Sequence, residues 1–326
     1  MRSSFRKSAC AALAAALPAL VLGPRASADE NGVSFWLPGI YGTLAAVPTP
    51  AGFSFTTFNY YDTVSTQRTI DLGGGERVLT GVNADANLQY VFPSYAFNTP
   101  LGSLSVGMFA FAGSNTTSAY EAFVGPVGPS LTAGRSATLF SYGDLAPVVT
   151  LKWGYPGPNY FMTYISGDIP VGSYEAGRLN VFGIGHGAID GGVGYSYFDG
   201  SNGFSAVAGL TYNFINSSTQ YQNGIDSHLD LSAVHFLVPG VVFAGAVGYA
   251  YDQLTADSGS GATLASTKSR VLGVGPQVGF VFPIGGMTGF LTFKGYAEFD
   301  AENRASGYNL WTTLSLAPTA PTAVKN

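Results

Sequence analysis

Past residue 28, apolar side chains in this chain fall on every second position in segments of about ten residues, and nowhere do they form an unbroken run of about 18. That pattern excludes membrane-spanning helices and points to strands with two unlike faces. Between Gly81 and Tyr90 one face carries Asn83, Asp85, Asn87 and Gln89, and the other Val82, Ala84, Ala86, Leu88 and Tyr90. From Phe204 to Phe214, Ser205, Val207, Gly209, Thr211 and Asn213 oppose a face made mostly of large apolar residues. Lys294, Tyr296, Glu298 and Asp300 share a face in 290–300, as do Asn309 and Trp311 in 308–316.

Alternation alone fits a soluble sandwich as well as a barrel, so composition must decide. Only 10% of residues are charged, against about 25% in ordinary soluble domains. A protein so poor in charge is hard to keep in solution unless lipid covers its apolar face. The start of the chain agrees. Arg2, Arg6 and Lys7 precede an apolar run from Ala9 to Leu22 and a small-x-small site, Ala26-Ser27-Ala28. This is the order of a secretory signal peptide, expected to be cleaved after Ala28. Cleavage removes four of the 14 basic residues and none of the 19 acids, leaving a formal charge of −9. An acidic chain without basic runs argues against nucleic acid as a partner. Cys10, the one cysteine, lies in the same segment, which leaves no disulfide framework, thiolate metal site or thiol nucleophile.

The expected fold is therefore a transmembrane antiparallel β-barrel. Twelve strands are expected near 52–64, 78–92, 101–113, 143–153, 159–169, 185–198, 203–215, 225–237, 241–254, 268–282, 287–300 and 307–317. Short turns at 199–202, 238–240 and 283–286 alternate with longer polar loops at 65–77, 114–142, 170–184, 216–224, 255–267 and 301–306. Short turns belong on the periplasmic side of an outer-membrane barrel and long loops outside it. The layout is then a signal peptide (1–28), an N-terminal hatch-like segment (29–51), the barrel (52–317) and a tail (318–326). Tyr and Phe near strand ends, among them Tyr60, Tyr61, Tyr90, Tyr249 and Tyr251, are expected to form interfacial girdles.

Within a barrel, polar residues should line the lumen. The expected lining is Asn83, Asp85, Asn87, Gln89, His228, Asp230, Lys294, Tyr296, Glu298, Asp300 and Trp311. A hydrolase reading would recruit His228, Asp230 and Ser232, but residues two apart on a strand stand about 6.5–7 Å apart, too far for a base to meet its orienting carboxylate. No Gly-x-Ser-x-Gly elbow is present either. No catalytic, metal or cofactor site is expected. Residues 32–50 hold Phe35, Trp36, Leu37 and Tyr41, show no strand alternation and are too apolar to dangle in water. They are expected to fold into the lumen as a hatch near the periplasmic end.

Ser34-Phe35-Trp36-Leu37-Pro38-Gly39 with Leu44-Ala45-Ala46-Val47-Pro48, then 268–277, Phe282-Pro283-Ile284-Gly285-Gly286-Met287, Lys294-Gly295-Tyr296 and 298–304 form a recognisable set. Together these stretches resemble one family of outer-membrane proteins, that of the MetA pathway of phenol degradation. The resemblance extends over nearly all of 32–317 and is thinnest in 114–142. It implies a fatty-acid-transporter-like barrel that passes aromatic or other hydrophobic molecules, and it carries no established catalytic residues. Its implied partners are outer-membrane lipid, small hydrophobic or aromatic solutes and, during biogenesis, the barrel-assembly machinery. One departure is the tail after the last strand, where such barrels usually end on an aromatic residue. A structural or adhesion barrel without transport, and an outer-membrane lipid hydrolase, are the competing functional classes.

Overall fold

The computed structural model describes residues 30, 34–73, 76–125, 128–262 and 268–319. The expected leader, 1–28, and the last residues of the expected tail, 320–326, lie outside them. Thirteen strands form one antiparallel sheet: β1 (Gly52–Gly73), β2 (Glu76–Thr99), β3 (Gly102–Gly125), β4 (Gly128–Tyr142), β5 (Ala146–Tyr155), β6 (Asn159–Asp168), β7 (Ala188–Phe198), β8 (Asn202–Asn213), β9 (Asp226–Val238), β10 (Val242–Gln253), β11 (Arg270–Ile284), β12 (Met287–Glu302) and β13 (Ser306–Pro318).

Pairing of β1 with β13, from Phe55↔Leu316 to Ser65↔Ser306, closes the sheet on itself. Twelve strands make the closed barrel, and β4 is the extra one. β3 has two partners in succession: its first half pairs with β5 (Ser103↔Lys152 to Phe109↔Ala146), and its second half with β4 (Ala112↔Tyr142 to Gly125↔Gly128). Closure removes the unpaired sheet edges that a lipid environment does not tolerate.

Large apolar side chains face outward around the wall, including Val193, Ile165, Leu210, Val274, Phe293 and Leu310, each at least 40% exposed. In a soluble protein such a belt would cover far more than the few hundred Å² of contiguous apolar surface usually tolerated. A closed barrel wearing it is built to sit in a bilayer.

The structure corrects the expected loops at 65–77 and 114–142. The first is the upper part of a β1–β2 ribbon paired as far as Gly73↔Glu76, and the second is the upper part of β3 together with β4. Four strands thus rise beyond the rest of the barrel as a wall on one side of its mouth. β4 escapes sequence reading for a physical reason. Thr132, Ala133, Gly134, Ser136, Ala137 and Thr138 give it small side chains on both faces, so no large apolar residue marks either face over that stretch.

That wall also corrects the expected lining at β2. Asn83, Asp85, Asn87 and Gln89 are exposed on the outer face, with Asn87 accepting from Asn59 at 2.7 Å and Gln89 donating to Thr57 at 2.6 Å. The inward residues are Val82, Ala84, Ala86, Leu88 and Tyr90. The same outward parity turns apolar lower down, at Tyr95 (48% exposed) and Phe97 (46%). Counted from Thr99, Gln89 stands about 33 Å along the strand, or about 25 Å in height at the usual tilt, which is the full height of a lipid belt. Above that level water lies outside, and the polar face turns toward it.

Asp300 is corrected too. It takes a positive φ of 53° at a register irregularity between β11 and β12, so the alternation slips by one there. Its carboxylate faces outward and pairs with Arg270 at 3.3 Å, beside Glu302 at 2.8 Å. Among the expected girdle residues, Tyr60, Tyr90, Tyr249 and Tyr251 point inward instead and are no more than 9% exposed, forming the upper interior core with Phe58, Tyr296 and Trp311.

The change of medium along β2 is testable by substitution. Val193→Lys, in the belt, is expected to lower folding stability in lipid vesicles by about 2–4 kcal/mol, and Asp85→Lys by less than about 0.5 kcal/mol. Equal losses measured by reversible unfolding would contradict the assigned belt.

Candidate functional site

Residues 34–50 run through the lumen as a plug without regular secondary structure. Their Glu30 end lies against the long-loop mouth, and Thr49 reaches the opposite rim, where Ser103 of β3 donates to its carbonyl at 2.7 Å. The hatch therefore spans the lumen and is not confined to the periplasmic end. A non-helical, non-strand segment inside a barrel has backbone polar groups with no ladder to join, and each must find a partner. The inward polar side chains supply them.

Asp230 of β9, only 2% exposed, accepts the amide of Gly39 at 2.8 Å on one oxygen and that of Tyr41 at 3.0 Å on the other. Lys294 of β12 donates to the Gly39 carbonyl, and its ammonium sits 4.4 Å from the Trp311 ring centroid. Lower down, the amides of Ala45 and Ala46 donate to Ser205 (3.3 Å) and Ser196 (3.0 Å). Thr43 donates to Gln277 at 2.8 Å, and Gln277 donates to Ser232 at 2.7 Å. Gly39 has a φ of 88°, and a Cβ there would meet the Tyr296 ring at 3.0 Å. Glycine at this turn serves both the backbone and the close approach.

Side-chain packing reinforces these bonds. Trp36 stacks on His228 with ring centroids 3.5 Å apart and planes 11° from parallel. The other face of the site holds Asp190 of β7, whose carboxylate bonds His228 Nε2 at 3.0 Å and accepts from Thr211 at 2.6 Å. Tyr164 of β6 reaches the same histidine nitrogen at 3.2 Å. Leu37 and Ile40 pack on the aromatic core, and Tyr41 on Tyr164 at 5.4 Å.

Of the expected lining, His228, Asp230, Lys294, Tyr296, Glu298 and Trp311 do face the interior. Asn83, Asp85, Asn87, Gln89 and Asp300 do not. Of the hatch residues, Trp36 is buried; Phe35, Leu37 and Tyr41 are partly buried and line the cavity described next. The trio His228, Asp230 and Ser232 is not assembled for hydrolysis: Asp230 is committed to the plug, Ser232 to Gln277, and His228 to Asp190. Among the described residues no group of three His, Cys, Asp or Glu side chains is placed to hold a metal.

Between the plug and the tall wall lies a cavity of about 1640 Å³. Its upper wall is Val64, Val82, Ala84, Ala86 and Leu88, its lower part is Tyr60, Tyr90, Phe109 and Phe111, and Trp36, Leu37 and Ile40 close it on the plug side. Charged groups also line it: Asp62, Glu298 and Arg304 on one side, Glu121 and Arg135 high on the wall, and Arg68, Asp144, Asp168 and Arg178 elsewhere around it. Stacked pairs Phe58–Tyr90, Tyr90–Phe111 (both 4.5 Å) and Phe92–Phe109 (4.1 Å) build its floor. Phe236, Phe243 and Val234 fill the interior nearer the short-turn end.

The 169–187 connection folds over the cavity as a lid. Phe182 lies 6.4 Å from Phe111, and Asn180 donates to the carbonyls of Asn115 and Ala137, both at 3.1 Å. Asp144 pins the lid's two limbs by accepting the amides of Gly172 (2.6 Å) and Ile184 (2.7 Å). Burial raises the Asp144 pKa above the usual carboxylate range, against the pull of those two bonds. Tyr164, Asn180 and Asp144 are not evident in the sequence, because isolated polar residues give no periodic signal.

The plug's hold on the lumen can be measured residue by residue. Asp230→Asn is expected to weaken it by about 1–3 kcal/mol, since one oxygen acceptor is replaced by a donor. Amide exchange at Gly39 and Tyr41 should accelerate by roughly tenfold or more. Unchanged exchange at both amides would contradict the assigned bonds.

Comparison with known proteins places these features in context. Residues 66–314 match the family model described as putative MetA-pathway of phenol degradation. The COG4313 outer membrane channel from Pseudomonas putida F1, known as a crystal structure, is similar over 87% of this chain and 99% of that one, with TM-score 0.56 and 12% identity. Pseudomonas aeruginosa OccK7 (OpdD) has TM-score 0.31 and 6% identity, over 82% of this chain and 98% of its own. No curated protein sequence matches.

Proposed function

The chain belongs to the putative MetA-pathway of phenol degradation family, and on that premise we propose that it is a plugged outer-membrane channel for passive passage of small hydrophobic or aromatic solutes. The observation that carries this reading is the cavity of about 1640 Å³, with an apolar face from Val82 to Leu88, an aromatic floor and the plug below it. An open porin for ions would present charge around an unfilled lumen. Here the lumen is filled by the plug, and two buried charges, Asp230 and Lys294, are spent on its backbone.

The two faces of the cavity wall support the same reading. Along β2 its upper wall is polar outside and apolar inside, so it offers an apolar surface to a solute that water rejects. Burying apolar area there yields roughly 25 cal/mol per Å², enough to capture an aromatic ring without any charged contact. Passage then requires the plug to shift. Most of its polar bonds lie on β7, β8, β9, β11 and β12, while β1, β2 and the upper part of β3 meet it through apolar contact, with Ser103 at the start of β3 as the exception. That asymmetry gives a solute a face along which to slip.

In this reading residues 1–28 are the export signal, the barrel-assembly machinery inserts the mature chain, and the long loops face outward. Deleting 34–50 is expected to raise single-channel conductance several-fold and to speed uptake of phenol-like solutes into vesicles. Conductance and uptake both unchanged by the deletion would favour a structural or adhesion barrel.

A further inference from the structure

Glu30 lies at the mouth, and among the described residues its polar contacts are with outer loops. Tyr174, in the lid, donates to its Oε1 at 2.8 Å. Asn216, in the β8–β9 connection and 0% exposed, donates to its Oε2 at 2.8 Å and also lies 2.8 Å from the Tyr174 hydroxyl. The Glu30 amide donates to Asn223 Oδ1 at 2.9 Å, and Asn223 is 3% exposed. A carboxylate with a separate donor on each oxygen, and with its own amide taken up by a third side chain, occupies a built receptor and not a chance surface contact. Burial, then the hydrogen bond to Glu30, push the Tyr174 pKa up to about 12, so the phenol keeps the proton it donates.

Four residues further on, Ser34 begins the plug, and Trp36 lies against His228. Five residues beyond Tyr174, the lid tip from Leu179 to Phe182 enters the cavity. The two bodies that bound the cavity, plug and lid, therefore share one tether.

We propose that Glu30 is a clasp that couples the lid to the plug, so that the mouth and the lumen open together. The inference rests on reading 34–50 as a plug that moves. With the clasp closed, lifting the lid while the plug stays put breaks the Tyr174 bond and leaves a carboxylate oxygen without its donor. Withdrawing the plug alone breaks all three contacts. The Tyr174 bond is lost in either partial motion but need be given up only once, or not at all, when both move, so the joint opening costs less than the two partial openings added together, and that difference is a coupling free energy between two sites. A solute that presses the lid from outside would then loosen the plug below, and a barrel without solute would keep both shut.

Trypsin provides the readout, because Arg178 lies in the lid with its side chain 41% exposed. The experiment uses the full mature chain in lipid vesicles, with cleavage after Arg178 identified by the peptide that begins at Leu179. Asp230→Asn loosens the plug far from the lid. In the presence of Glu30 it is expected to raise the rate of cleavage at Arg178 roughly tenfold. In the Glu30→Gln background the same substitution should change that rate by less than about twofold. Thr43→Val, which loosens the plug lower down, should repeat the pattern if the Asp230 variant folds poorly. Acceleration absent with Glu30 in place, or equally large without it, would overturn the clasp. The 34–50 deletion reports on the plug itself, so failure of the coupling and failure of the channel reading are separable.

Discussion

The rest of this structure depends on one constraint, the need to satisfy an irregular backbone inside a lumen. Residues 34–50 have no neighbouring strand, so the Gly39 and Tyr41 amides would be orphaned without the Asp230 carboxylate. Asp230 in turn would be a bare buried charge without those amides, a state that costs several kcal/mol. Each makes the other tolerable. Lys294 completes the exchange by taking the Gly39 carbonyl and lying over Trp311, where the ring face offsets part of its lost hydration. A residue set that in an open pore would act on passing ions is here turned to holding the chain's own segment.

The second principle is that the sense of a two-faced strand is set by the medium on each side. β2 crosses from lipid to water, and its outward face changes from Phe97 and Tyr95 to Gln89, Asn87, Asp85 and Asn83 without any change in backbone parity. Its inward face stays apolar throughout, from Tyr90 to Val82. The result is a chamber whose β2 side is apolar within and polar without. The lid and plug then close it from the side and from below, with Phe182 and Trp36 as the aromatic faces they present.

How much of this could be read from sequence follows from the same physics. Twelve barrel strands are legible because lipid enforces alternation along them. Asn83 to Gln89 were assigned to the wrong side because alternation gives two faces without saying which one meets water. Asp300 was misplaced because a single residue at φ 53° shifts the parity, and no residue type announces that. β4 reads as loop because small side chains from Thr132 to Thr138 leave its two faces little different in bulk. The partners of the plug are long-range pairings, such as Asp230 with Gly39 and His228 with Asp190 and Trp36, which only closure of the barrel brings together.

The most direct test is to fasten the plug reversibly. Cys10 lies in the expected leader, so Ala46→Cys with Ser196→Cys, adjacent where the Ala46 amide meets Ser196 at 3.0 Å, gives a mature chain whose one disulfide ties plug to wall. Flux of a neutral aromatic solute into vesicles is then followed before and after reduction. The account predicts flux near the background of empty vesicles when the disulfide is formed, and recovery to the unmodified rate when it is reduced. Equal flux in both states would show that solutes cross without the plug moving, and the gated channel described here would be wrong.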